Sequence, residues 1–485
     1  MKKIKWIVAI MCVAALLLTS VSCNVFNSDG NEGGNNINSN AENDLSDEIK
    51  ALAQIVALEI NGVPIYVPEF NYYYMNALNS EFNSFSQWGY DLAEFVDLNS
   101  PLQDQPFIYD ESMSWDDYFK ETAINNINQI IGFSLDAEAN GFELSESTAA
   151  NIKESIEQMK ITAAENGIHI DRLLNDEVAP GINSGNISAI MERYYRGVEY
   201  SYYIDDNIII TDNDIQSKYS ENKNNYDNVT YKEIAFDAEY DEETYEYTED
   251  GLEKAKALAE EAFALVTDSE SMDILFKAYG KNIDEASEVS SQKTSHAGDL
   301  SEKVAEWLFN EERKVDDITV IETDFGYSVL YYESRGLDEG ETYSIRLFYT
   351  YDESGTEEAK AMTDDFYAAW NAGEKTEQSF IDLITERATN ERDKQTGGLY
   401  DNIELGFINE ALDIWLANPE LQPNSIMQMD SDGYYFVVYY VGHGKMHWEV
   451  DVLNDLKSEE YSKILEALTA NYAIVIKDGI IQAGI

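Results

Sequence analysis

The sequence predicts an α+β protein in which two copies of a small module lie between helical segments drawn from both chain ends. Three observations predict this. The run Asp324-Phe325-Gly326-Tyr327-Ser328-Val329-Leu330-Tyr331-Tyr332 is echoed by Asp432-Gly433-Tyr434-Tyr435-Phe436-Val437-Val438-Tyr439-Tyr440. Each copy is a glycine-bearing turn feeding an almost wholly apolar and aromatic stretch, the mark of a strand covered on both faces. Upstream of each echo the landmarks also match, Trp307-Leu308 with Trp415-Leu416 and Gly298 with Gly398. Their separation of roughly 100 to 113 residues is too long for a solenoid repeat and right for a duplicated small domain. Finally, helical periodicity fills the chain before this pair and returns after it.

A chain of 485 residues with 44% hydrophobic content is long enough for about three domains whose cores need neither disulfides nor metals. It carries 93 acidic and 32 basic residues, a formal net charge of -61. Such a surface repels nucleic acid and anionic membranes alike, and nucleic acid is excluded as a partner.

In chain order, residues 1–22 read as a secretory signal: Lys2, Lys3 and Lys5, an apolar run from Trp6 to Leu18, then small residues. The stretch Ser20-Val21-Ser22-Cys23 is similar to a bacterial lipoprotein cleavage box, with Ser20 where leucine is usual, and makes Cys23 the expected lipidation site. Removing residues 1–22 takes away three lysines and no acid, so -61 becomes -64. Residues 23–50 are mostly Asn, Gly, Ser and Asp, a flexible tether with a mean reach of ~28 Å.

A helical domain is expected over residues 51–226. It opens with a hairpin about Asn61-Gly62, a type I′ turn pair, and a helix from Pro68-Glu69-Phe70. Further helices follow from Trp115 to Asn140, from Ser147 to Glu165, and from Asn186 onward, the last with a tyrosine stripe read as core. Asp214 to Asn225 forms another short helix. The first module spans residues 227–336 and the second 341–444. Each comprises a strand, a helix, irregular helical turns and two strands joined by a turn. The module helices are expected to turn Ala255, Leu258, Ala262 and Leu265 inward in the first copy, and Met362, Phe366, Ala369 and Trp370 in the second. Residues 445–485 supply an amphipathic helix, Glu449 to Leu468, and a last strand, Tyr472 to Ile476; both are expected to complete the helical domain.

This order of features resembles the PrsA-type foldase lipoproteins and their SurA-like relatives, in which a parvulin-type peptidyl-prolyl isomerase domain sits between two halves of a helical chaperone domain. The residues that carry the resemblance are Asn61-Gly62 with Glu69-Phe70, Asp214 to Tyr226 leading into Tyr231-Lys232-Glu233-Ile234, the two modules, and Asn454 to Tyr461. The resemblance implies an extracytoplasmic folding factor, anchored to the membrane through its lipid alone, whose partners are unfolded or newly secreted polypeptides and which needs no cofactor. Active parvulins present one histidine from the first strand and one from the last. The first position falls on Glu233 and Arg346, the second on Ser328 and Tyr435, so neither module keeps either histidine. Ile408 and Leu412 stand where methionine and phenylalanine line the family's proline pocket. They form either an apolar slot, with Tyr435 beside it, or ordinary core. The four histidines, His169, His296, His443 and His447, lie elsewhere and are expected in surface or loop positions.

Two other readings remain open at this stage: an active isomerase in which Tyr435, Asp432 or Glu233 replaces the histidines, and a solute-binding lipoprotein. The second explains an anchor but not the duplication. Scattered histidines and no spare cysteine cannot make a structural zinc site. Asp430-Ser431-Asp432-Gly433 lacks the remaining calcium ligands and reads as a turn between strands.

Overall fold

The computed structural model describes residues 45–241, 246–279, 291–351, 357–431 and 433–484. The signal, Cys23 and most of the tether therefore lie outside the described residues, as does Asp432. The architecture is α+β. Backbone contacts divide the chain into two units, the first holding the described residues up to Ile208 and from Glu459 onward, the second Ile209–Ser458.

In the first unit a short helix, α1 (Asp47–Leu52), precedes the hairpin of β1 (Val56–Ile60) and β2 (Val63–Tyr66). Asn61 and Gly62 both take positive φ, 48° and 80°, as a type I′ turn requires. Pro68 sits in the first turn of α2 (Val67–Gln87), where its missing N–H costs nothing. A small hairpin, β3 (Pro106–Phe107) and β4 (Asp110–Ser114), leads into α3 (Trp115–Ala139). Ser114 and Asp117 cap α3 reciprocally, each side chain bonding the other's backbone N–H. Then come α4 (Glu146–Glu165), α5 (Ile170–Glu177) and α6 (Ile187–Asp206). The core is strongly aromatic: Phe70, Tyr72, Tyr73, Tyr74, Trp115 and Phe119 are at most 1% exposed.

Gly197 lets α6 lie directly on α3, because a Cβ there would overlap the Ile130 carbonyl oxygen. Glu69, in the first turn of α2, is buried beside Arg193 of α6, whose Nη1 donates to Oε2 at 3.3 Å. Burial pushes its carboxyl up to about 7, more than the Arg193 charge pulls it down.

The second unit opens with α7 (Asp212–Glu221) and then the first module. That module consists of β5 (Asp227–Asp237), a small hairpin of β6 (Tyr240–Asp241) and β7 (Glu246–Tyr247), α8 (Glu249–Leu265), α9 (Ser269–Tyr279), β8 (Gln292–Ser295), α10 (Glu302–Leu308), β9 (Ile318–Thr323) and β10 (Gly326–Leu337). The second module repeats the plan, its described residues forming β11 (Glu341–Tyr351), α11 (Glu357–Ala372), α12 (Glu377–Arg387), α13 (Glu391–Thr396), β12 (Leu399–Ile403), α14 (Glu410–Leu416), β13 (Ile426–Ser431) and β14 (Tyr434–Met446). The two antiparallel sheets have one strand order, β8-β5-β10-β9 and β12-β11-β14-β13. One face of each is covered by its long helices and the other by its short helix, α10 or α14.

The inward stripe of α8 differs from expectation. Gly251, Ala255, Ala259 and Ala262 are buried, whereas Leu258 is 36% and Leu265 53% exposed. Small residues at four- and three-residue spacing bring this helix close to the sheet, and the leucines fall off that line. Met362 likewise points outward from α11, where Ala359, Thr363, Phe366 and Trp370 are buried.

The final long helix, α15 (His447–Asn471), is followed by β15 (Ile474–Ile476). In the first unit Tyr461, Leu465 and Leu468 pack with Phe133, Ala137 and Tyr200, and β15 pairs with β1. In the second unit Trp448 and Val452 pack with Ile215 and Tyr226. Contacts divide the chain at 208 and 458.

Candidate functional site

In the first module the two strands that carry the family positions, β5 and β10, are neighbours. Ser328 lies opposite Ala235, and Glu233 opposite Leu330. Because side chains alternate, Glu233, Ala235, Ser328 and Leu330 share one face. The sheet does bring Glu233 and Ser328 together: the buried Ser328 hydroxyl donates to Glu233 Oε1 at 2.7 Å. Lys293 of β8 donates to the other carboxylate oxygen. Burial opposes the Lys293 charge, but the hydrogen bond and charge of Glu233 outweigh it and raise the ammonium's pKa. A carboxylate held by a hydroxyl and an ammonium is a satisfied polar set.

On the same face Ile321 lies opposite Ser328, with Ala297, Leu300 and Trp307 packed nearby. An open groove of about 1350 Å³ is lined here by Ala297, Trp307, Phe309 and Ile321, with Glu302 and Glu306 at its polar side. The Arg313 guanidinium lies 4.6 Å from the Trp307 ring centre. Next to Ala297, half-buried His296 has a buried Nδ1 with no hydrogen-bond partner. Trp307 entered the sequence reading only as a landmark of the repeat; its part in the groove depends on which face of α10 is left uncovered.

The second module places its predicted residues differently. Tyr331 lies opposite Lys232 in the first sheet, and Tyr439 opposite Arg346 in the second. Arg346 thus takes the place of Lys232, while Leu347 takes that of Glu233. By the same ladder Phe436, opposite Tyr349, takes the place of Ser328, and Tyr435 lies opposite Thr350. The sequence alignment of Arg346 with Glu233 and of Tyr435 with Ser328 is shifted by one residue, which puts both on the other face. There Arg346 donates to Glu377 Oε1 at 2.9 Å and to the Thr396 and Gly397 carbonyls at 2.8 and 2.9 Å. Its counterpart Lys232 donates to Asp273 Oδ2 at 2.7 Å and to the Ser269 carbonyl at 3.0 Å. In both modules this buried cation fastens the helical layer to the sheet.

Leu412 is fully buried and Ile408 half-buried, both packed on the face that carries Leu347, Phe436 and Val438. The three residues expected at a substrate slot are therefore not brought together, since Tyr435 shares the opposite face with Val437 and Tyr439. What stands beside Ile408 is a row of rings. Tyr434 stacks on Phe436 at 5.8 Å and lies 4.4 Å from Tyr351, and Met429 lies opposite Phe436. Tyr351 is 51% and Tyr434 38% exposed. Burial first, then the nearby Asp393 charge, pushes the Tyr349 hydroxyl up to about 12, so it stays neutral at ordinary pH. The period-two pattern Tyr349, Tyr351 and Tyr434, Phe436 was legible, but Tyr435 between the latter pair hid it.

Comparison with known proteins comes to this. No family model and no curated protein matches the sequence. Among solved structures the chain is similar to the foldase protein PrsA from Streptococcus pneumoniae, with 18% identity over 46% of this chain and 71% of that one and a TM-score of 0.18. It is also similar to a SurA-like chaperone of Campylobacter jejuni, with 18% identity over 58% of this chain and 83% of that one and a TM-score of 0.17. Scores of this size do not establish a common architecture.

Among the described residues no cluster of histidine, cysteine and carboxylate side chains could hold a metal ion. No described helix is long and apolar enough to cross a membrane. His443 and His447 stand near Glu341 and Asp338, at 3.4 and 3.5 Å, and His169 caps α5.

Proposed function

We propose that the chain is an extracytoplasmic protein-folding factor of the PrsA and SurA-like kind, held at a membrane by lipid on Cys23, whose clients are unfolded or newly secreted polypeptides. In this reading the helical parts from both chain ends form the chaperone domain, and the two modules are parvulin-like domains that keep the fold as a binding surface. One observation carries it. The register-matched sheet positions where the resemblance calls for two histidines hold Glu233 and Ser328 in one module and Leu347 and Phe436 in the other, yet each face retains apolar surface beside them.

Isomerisation must lower a barrier of about 18 to 20 kcal/mol by stabilising a twisted amide that has lost conjugation. A satisfied carboxylate set and a pair of hydrocarbon side chains offer no such polar network. They do offer places for client side chains: the groove at Trp307 and Ile321, and the exposed rings of Tyr351 and Tyr434. An extended segment laid across either would bury apolar surface at roughly 25 cal/mol per Å².

The test is a protease-coupled prolyl-peptide isomerisation assay beside an aggregation-suppression assay on one preparation of the mature chain. Suppression with isomerisation at the uncatalysed rate is expected. Isomerisation far above background, abolished by Ile408→Asp, would instead establish an active isomerase in the second module. Intact mass of membrane-extracted protein tests the anchor: acyl groups on Cys23 are expected, and a lipid-free N-terminus downstream of it would refute that part.

A further inference from the structure

The end of α2 carries rings that the core does not use. Trp88 is 59% exposed, Tyr90 57% and Phe95 40%. They are linked through Phe85, which lies 6.1 Å from Trp88 and 5.2 Å from Phe95, with Tyr90 at 6.2 Å from Phe95. Gly89, at φ 83°, turns the chain back so that the Tyr90 amide bonds the Phe85 carbonyl. One helical turn earlier, Glu81 accepts a hydrogen bond from Tyr118 at 3.0 Å, and Tyr118 stacks on Phe107 at 4.2 Å. Phe107 supports the tip of the β3–β4 hairpin, where Ile108 is 39% and Tyr109 67% exposed. Both groups of rings are thus tied to the last two turns of α2, one through Phe85 and the other through Phe107 and Tyr118.

The stretch of chain that carries these rings has formal charge of one sign. Between Lys50 and Lys120 the sequence has no lysine, arginine or histidine. Asp91, Glu94, Asp97, Asp110 and Glu111 lie within two residues of these rings in the sequence, and neither they nor Glu81, which accepts from Tyr118, make an ion pair with a described residue. Five exposed apolar side chains on a stretch of chain whose only formal charges are negative leave few suitable occupants. An anionic lipid surface is repelled, and a second copy of the chain would bring the same carboxylates face to face.

We infer that this patch is a docking surface for extended polypeptide segments in which lysine or arginine alternates with apolar residues. The rings take the apolar side chains and, through their faces, the cations; the carboxylates take the remaining charge. The inference rests on the folding-factor reading and adds the class of client that it selects.

The experiment measures fluorescence anisotropy of two labelled unstructured peptides against the full mature chain: lysine alternating with leucine and phenylalanine, and the same peptide with glutamate for lysine. Only the basic peptide should bind, more weakly as salt rises from about 50 to about 500 mM. Trp88→Ala with Tyr109→Ala should weaken binding roughly five- to twentyfold without moving the melting temperature, since both rings are exposed. Glu94→Lys with Glu111→Lys should weaken it without removing any ring. Equal binding of the acidic peptide, or unchanged binding in both double variants, overturns the inference. So does Trp88-dependent adhesion to phosphatidylglycerol vesicles or Trp88-dependent self-association. Aggregation suppression of an acidic client, run alongside, separates the two claims. If it persists while basic-peptide binding ignores the patch, the folding reading stands and this inference falls. If it is absent while patch-dependent binding holds, the reverse follows.

Discussion

Replacing Glu69 by glutamine should stabilise the first unit at alkaline pH and leave it unchanged at acid pH. The residue is 5% exposed, and among the described residues its Oε1 has no hydrogen-bond partner and its cationic neighbour is Arg193 at 3.3 Å. Burial raises its pKa from 4.5 to about 7. The folded state thus holds this proton over a range in which the unfolded chain has released it. The stabilisation is fully present below about pH 4.5 and is lost as pH rises through 7. At 1.36 kcal/mol per unit, the ionised carboxylate costs ~3 kcal/mol above pH 8. Glutamine copies the protonated form, and Arg193, with 28% of its side chain exposed, keeps access to water. Glu69→Gln should therefore gain ~3 kcal/mol over the parent at about pH 8 and about nothing at pH 4.5. Urea unfolding of the full chain, read by pulsed hydrogen exchange over residues 56–208, isolates this unit. Taking the difference between variant and parent at each pH cancels the general repulsion among the other acids. Parallel pH profiles, or a variant less stable at about pH 8, would refute the assignment of a buried, desolvated acid.

Gly197→Ala should destabilise the first unit by ~3 kcal/mol, because the added methyl overlaps the Ile130 carbonyl and α6 must lift from α3; a melting temperature within a degree of the parent counts against it. Deleting residues 459–485 removes Leu468, which lies against Gly132, and the β15 partner of β1. Hydrogen-exchange protection should fall in residues 56–66 and 115–139, with the modules unaffected; unchanged protection would disprove the contribution of the C-terminal segment. Arg346→Leu strips two carbonyls and Glu377 of their shared donor and should cost the second module ~2 to 4 kcal/mol, seen as faster exchange in residues 377–403; exchange like the parent's would show the cation to be dispensable.

Strand positions were legible in the sequence wherever a continuous apolar run met a turn, and so the duplicated modules were too. Register was not. In Phe436 to Tyr440 both faces of β14 are covered, so every residue is apolar or aromatic and no alternation says which ring points where. The placement of Tyr435 and Arg346 required the ladder itself. Helix existence followed from periodicity, as from Trp115 onward; the caps at Ser114 and Thr211, whose hydroxyls bond the third residue onward, fix where two of them begin. On α8 Ala255 and Ala262 face inward as expected, but Leu258 and Leu265 do not, because the close approach to the sheet selects small residues along that line. The pair Glu233 and Ser328 was found from the family pattern, but no local signal indicated Lys293, which reaches them only through the pairing of β8 with β5.

The pairing of β1 with β15 also sets a clock. Leu58 and Ile60 meet Ile476 and Ile474 across the ladder, partners made about 400 residues apart. At roughly 5 to 20 residues per second of synthesis, the outer edge of β1 waits on the order of 20 to 80 s for its neighbour. Throughout that interval its amides and carbonyls form a template open to any passing strand. A ribosome that stalls anywhere in the modules releases a chain whose first sheet has only two strands. A chain truncated before residue 474 therefore keeps an open β1 edge, and only the pairing of residues 474–476 closes it.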